Sequence, residues 1–167
     1  MSRTKLIPKL SNQKVTTLLM EVVLMKHFEF QHNYIVPKVS FGAGLHECDL
    51  LVITKSGYAH EIEIKIDKQD LINDKHKPHQ HVDYRIKEFW FAVPLPLEQE
   101  ALKHIPDRAG LLSVYERGGK WRCRVSRLPQ ASKKPYKWNQ DEIFNLLRLA
   151  AMRIYTLKKL ILKINSK

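Results

Sequence analysis

DLLVITKSGYAHEIEIKI, residues 49 to 66, places two runs of β-forming residues on either side of Lys55-Ser56-Gly57. Branched and aromatic side chains favour extended chain, and a short connection ending in glycine predicts a hairpin. With a three-residue loop and Gly57 left-handed, Thr54 faces Tyr58, Asp49 faces Glu63, and Glu47 faces Lys65. Directly opposed residues project to the same side of a sheet. One face would then hold Glu47, Asp49, Leu51, Ile53, Ala59, Glu61, Glu63 and Lys65. The other would hold Cys48, Leu50, Val52, Ile62, Ile64 and Ile66, ready for a helix to cover. A two-residue Ser56-Gly57 loop would instead pair Asp49 with Ile64 and split the acids between faces. The three-residue register is preferred because it sorts charged from apolar side chains.

Working outward, residues 13 to 29 have helical apolar spacing through Val15, Leu18, Leu19, Val22, Val23 and Met25, with Ser11 as N-cap and Glu21 interrupting the stretch. Residues 33 to 41 read as a strand that Pro37 assigns to an edge or a bulge. After the hairpin, a short helix is expected over 78 to 87, then a buried strand over 88 to 94 in which Phe89, Trp90 and Phe91 belong to the core. Gly118-Gly119 marks a second hairpin, and Asn139 to Ile164 a long amphipathic helix. The 167 residues, 44% hydrophobic, are expected to form one domain over 1–167, with a core at about 13–94 and a C-terminal hairpin and basic helix at about 110–165.

No apolar run reaches the ~20 residues of a membrane span and the N-terminus lacks a secretory pattern, so a soluble cytoplasmic protein without a membrane partner is expected. Cys48 and Cys123 stand apart, with neither disulfide nor zinc spacing. The net charge of +12 is regional: residues 120 to 167 hold 13 Lys and Arg against Asp141 and Glu142 alone. That excess suits a polyanion, and DNA is the expected partner. Arg122, Arg124, Arg127, Lys133, Lys134 and Lys137 are its candidate phosphate contacts, and Trp121 and Trp138 candidate stacking platforms.

An alternating EIEIK run alone is usually a solvated strand face. Opposed across a hairpin, however, Asp49 and Glu63 are like charges that need a cation or a proton between them. Their oxygens suit Mg²⁺ or Mn²⁺, and Lys65 could hold an attacking water or neutralise charge on a phosphate. Phosphodiester hydrolysis is the chemistry expected of Asp49, Glu63 and Lys65, with Glu61 and Glu47 in support.

Asp49 followed by Glu63-Ile64-Lys65 resembles the D…(D/E)xK signature of the PD-(D/E)xK nuclease superfamily, which has the restriction-endonuclease-like fold. The segments Asp70-Leu71-Ile72-Asn73-Asp74 and Phe89-Trp90-Phe91-Ala92-Val93-Pro94 are similar to those of its MmcB-like DNA-repair nucleases. The resemblance spans about residues 15 to 155. It implies an α/β fold, an αβββαβ core whose mixed central sheet is flanked by helices, with the C-terminal hairpin and long helix added. It also implies Glu21 as a third metal ligand beside Asp49 and Glu63. Gln80 and Tyr84 resemble the QxxxY helix of the RecB-like nucleases, one turn apart and supporting the site. The implied function is a Mg²⁺-dependent DNA endo- or exonuclease in DNA repair or in phage or host DNA processing. The alternative is a non-catalytic DNA-binding or scaffold protein that keeps the nuclease fold.

Overall fold

The computed structural model describes residues 15–39, 45–74 and 82–165. Helix α1 (Thr17–His27) opens where the Thr16 side chain accepts the Leu19 N–H at 3.2 Å. Thr16 therefore caps the helix; Ser11 lies outside the described residues. Three strands follow, β1 (Tyr34–Val39), β2 (Cys48–Ile53) and β3 (Ala59–Ile64), then helix α2 (Lys68–Asn73) and strand β4 (Ile86–Pro94). This is the αβββαβ order expected.

The helix expected over 78 to 87 is not found in its described part. Asp83, Tyr84 and Arg85 instead form a turn in which Asp83 accepts from the Arg85 backbone N–H and guanidinium, and β4 begins at Ile86. After β4 a 3₁₀ turn (Leu95–Leu97) leads into α3 (Glu98–His104), an element the sequence reading passed over.

Strands β5 (Gly110–Arg117) and β6 (Lys120–Arg127) continue the same sheet, and α4 (Gln140–Asn165) closes the chain. The six strands lie in sequence order. The β3–β4 and β4–β5 pairs are parallel, and the β1–β2, β2–β3 and β5–β6 pairs antiparallel. Pro37 accordingly sits in an edge strand, where its missing N–H breaks no interior ladder. The β5–β6 turn is Gly118-Gly119 with φ of 62° and 73°, values that L side chains rarely adopt.

Helix α1 covers one sheet face, its Met20, Val23 and Leu24 packing with Leu50, Val52, Ile62, Ile64, Trp90 and Ala92. The opposite face has two apolar clusters. Leu51, Ile53 and Ala59 pack with Trp138 and with Leu146 of α4, while Phe89, Phe91 and Val93 pack with Leu71 of α2 and with Ala101 and Ile105 of α3. Cys48 belongs to the first of these clusters, not to the α1 face where strict alternation had put it. Trp138 is 4% exposed and donates its indole N–H to the Arg85 carbonyl at 3.2 Å, so it is a core residue and not a stacking platform.

Candidate active site

The β2–β3 register is the three-residue one: Leu50 opposes Ile62, Leu51 opposes Glu61 and Ile53 opposes Ala59. Gly57 takes φ 85°, its N–H bonds the Thr54 carbonyl at 2.8 Å, and Thr54 N–H bonds the Tyr58 carbonyl at 2.9 Å. The ladder then ends at Leu50 and Ile62, one pair short of Asp49 and Glu63. There the Asp49 carboxylate accepts the Ile64 N–H at 2.8 Å, and the Lys65 N–H turns to the Ala92 carbonyl of β4 at 2.9 Å. A side chain takes the place of a strand pair, and β2 and β3 part. The expected direct pairs Asp49–Glu63 and Glu47–Lys65 are thus replaced by an opening between the strands.

That opening is a cavity of about 380 Å³ whose polar lining is Glu47, Asp49, Glu63, Lys65, Asp70 and Thr17. Four carboxylates and one ammonium meet there. Glu63 is 2% and Lys65 3% exposed. Burial of such charges is tolerated only when they are paired. Lys65 Nζ lies 3.2 Å from Glu63, 2.8 Å from Asp74 and 3.7 Å from Asp70. Asp70 and Asp74 are four residues apart, on one side of α2 and its C-cap, which is how both reach the same ammonium. Asp67 caps that helix by accepting the Asp70 N–H at 2.8 Å.

Glu21 of α1 is 9% exposed, and burial holds its carboxyl above the usual range; Lys38 works to lower it and Asp49 to raise it. The embedded acid of the first helix therefore shares an electrostatic neighbourhood with Asp49. Lys38 is the residue of β1 that falls opposite Asp49, between the pairs Pro37–Leu50 and Val39–Cys48, and its own φ is 51°. Its carbonyl accepts from the Arg153 guanidinium of α4. Lys38 is not marked by the sequence reading, and Asp70 and Asp74 enter it only as the ends of the segment similar to the MmcB-like nucleases, without a role at the site. The signal available for the last two was their four-residue spacing directly after the EIK run; for Lys38 it was a lysine following the strand proline.

Other expected residues lie elsewhere. Glu61, 1% exposed, bonds His46 at 2.8 Å and stands between Leu51 and Phe89 in the sheet, away from the cavity lining. Tyr84 precedes Ile86, which pairs with Ala59. It is therefore at the opposite end of β3 from Glu63, about 13 Å away along the strand. There it packs edge-to-face on Tyr136 and is 72% exposed. Gln80, the other half of the expected QxxxY pair, lies outside the described residues.

The expected phosphate contacts do not converge on the cavity. Arg124 pairs with Glu98 at 2.8 Å, and Arg127 donates to the Ala109 and Pro106 carbonyls at 3.0 and 2.7 Å, so both brace β6 against its neighbours. Arg122 is exposed on β6. Lys133, Lys134 and Lys137 are exposed on a strap that crosses from β6 to the hairpin turn, where the Trp138 N–H bonds the Gly57 carbonyl at 2.9 Å.

Among the described residues no three His, Cys, Asp or Glu side chains converge tightly enough to hold an ion unaided. The donor set nevertheless fits a hard cation. Mg²⁺ keeps several waters and takes one or two carboxylates together with substrate phosphate oxygens. Asp49 and Glu63 can supply those carboxylates, and a cation beside them would relieve the like charge that acts on Glu21.

No family model matches the chain, and no curated protein matches it. A solved protein of unknown function from Silicibacter pomeroyi is similar in structure, with a TM-score of 0.60 and 18% identity over 83% of this chain and 88% of that one. At that identity the likeness shows the fold alone. No described helix is long and apolar enough to cross a membrane.

Proposed function

We propose that the chain is a divalent-metal-dependent phosphodiesterase acting on DNA, with the cavity between β2 and β3 as its active site. The observation that carries this reading is the meeting of Asp49, Glu63 and Lys65 where the two strands part. The element order around them is the one that the nuclease resemblance implies.

In this reading Asp49, Glu63 and Glu21 hold Mg²⁺ or Mn²⁺. Bound there, the ion would act as a Lewis acid on a phosphate oxygen and lower the pKa of its water. Asp49 lines the cavity and is held in place by the Ile64 N–H. The Lys65 ammonium, fixed by Glu63 and Asp74, can orient a water or meet negative charge developing on the phosphate. Little rearrangement is required, because the buried ion pairs already set its position.

The second reading, a DNA-binding or scaffold protein without turnover, draws on the same ion pairs, since a lysine shared among three carboxylates can also be a purely structural bolt. Cleavage separates the two. We expect Mg²⁺- or Mn²⁺-dependent cleavage of at least one of single-stranded, duplex, nicked or branched DNA. Lys65→Ala and Glu63→Ala should lower it at least 100-fold while DNA affinity stays within a few-fold. A wild-type chain inactive on all four substrates with both ions would overturn the enzymatic reading.

A further inference from the structure

We infer that Asp74 is a positioning residue of the proposed site: it takes up part of the Lys65 charge that Glu63 would otherwise carry, so that Glu63 can serve a divalent cation. The inference rests on the metal-dependent reading above and deepens it.

Glu63 has two duties that conflict. In the proposed site its carboxylate holds the metal, yet in the structure it accepts a hydrogen bond from Lys65 Nζ at 3.2 Å. A divalent cation and an ammonium compete for the same oxygens and repel one another at that range. Asp74 eases the conflict. It lies nearer to Nζ than Glu63 does, at 2.8 Å against 3.2 Å, and Asp70 stands at 3.7 Å.

The two acids of the α2 segment differ in their surroundings. Asp70 lines the cavity and its side chain is 50% exposed, so water and substrate can reach it. The Asp74 side chain is only 6% exposed and does not line the cavity. Asp74 therefore acts on a bound ion through Lys65 and not by contact. Its place is set by the fold: its N–H bonds the Asp70 carbonyl, Asp67 caps the start of α2, and the buried Leu71 packs on Phe89 and Phe91. The Lys65 backbone is held in turn by the Ala92 carbonyl of β4. A charged pair fixed at both backbones, standing behind a metal ligand, tunes how tightly that ligand binds its ion.

The test is Mn²⁺ binding to the full chain without DNA, read as loss of the EPR signal of aqueous Mn²⁺. Wild type, Asp74→Asn, Lys65→Ala and the double variant are compared, with melting curves to show that each is folded. Asp74→Asn keeps the shape of the side chain and removes its charge, and it should weaken Mn²⁺ binding about 10-fold or more. Asp74→Ser, a second neutral variant, should do the same, while Asp74→Glu should recover most of the affinity. In the Lys65→Ala background Asp74→Asn should change the affinity less than about 2-fold, because its effect passes through the ammonium. Wild-type affinity in the folded neutral variants, or an equal loss with and without Lys65, would overturn the inference alone. A wild type that binds no Mn²⁺ would overturn it together with the metal-dependent reading.

Discussion

Burial and the charge on Asp49 both raise the Glu21 carboxyl, and Lys38 only partly opposes them. A folded-state pKa above the unfolded one favours the protonated fold. Stability from this group is present below the ordinary carboxylate pKa and is lost as pH rises through the raised value. Glu21→Gln should therefore melt at a higher temperature than wild type near neutral pH and at the same temperature in acid, while metal-dependent cleavage falls. Thermal denaturation from pH 4 to 8 checks this, and parallel curves for the two proteins would count against it. Glu21 could be noticed in the sequence as an acid in an apolar stretch, because a helix face betrays an intruder. For Asp74 the sequence offers only its four-residue spacing from Asp70; its place at the site comes from the ammonium of Lys65 at 2.8 Å, a contact that requires α2 to fold back over the end of β3.

At the scale of the elements, the two glycines with the clearest structural duties act differently. Gly57 needs its positive φ to keep the loop at three residues. Gly57→Ala should cost about 1–2 kcal/mol through left-handed strain, with further crowding against the Lys137 stem, 3.1 Å from an added Cβ. Gly110 has no special φ, but an added Cβ would overlap the Trp90 ring, so Gly110→Ala should cost about 1–3 kcal/mol by overpacking. Urea titration measures both. The hairpins were legible because turn chemistry is local: Gly57 and Gly118-Gly119 mark the turns, and the alternation of charged and apolar residues along the flanking strands selects three residues over two for the first loop. The 82–87 segment was misread as helix because its turn depends on Asp83 bonding Arg85, and its strand on parallel pairing with β3. Helix α3 was missed although Glu98 and Glu100 in its first turn and Lys103 and His104 in its last match the helix dipole.

Across the whole molecule, α4 runs beside β1 and then past it. Its first 14 residues, to Arg153 at the Lys38 carbonyl, cover about 21 Å, close to the ~20 Å of the six-residue strand. Ile154 to Asn165 continue beyond the sheet, and Ile154, Leu157, Leu160, Ile161 and Ile164 are each 54–64% exposed. Ending the chain after Arg153 should shift the melting temperature by no more than about 2 °C, since exposed residues contribute little to folding. Differential scanning fluorimetry checks it. The charge asymmetry of the sequence was real, but its spatial meaning was hidden. The C-terminal third runs along both edges of the sheet, so its cations are split: Arg124 pairs with Glu98 beside β6, and the strap carrying Lys134 is tied to the β2–β3 turn by the Trp138 N–H. The central claim, that the parting of β2 from β3 builds a metal-dependent site, is tested most directly by anomalous diffraction from a crystal soaked in Mn²⁺. The account predicts a peak bound by Asp49 and Glu63 in the wild type that disappears in Asp49→Asn; a cavity without manganese, or a peak that survives that substitution, would contradict it.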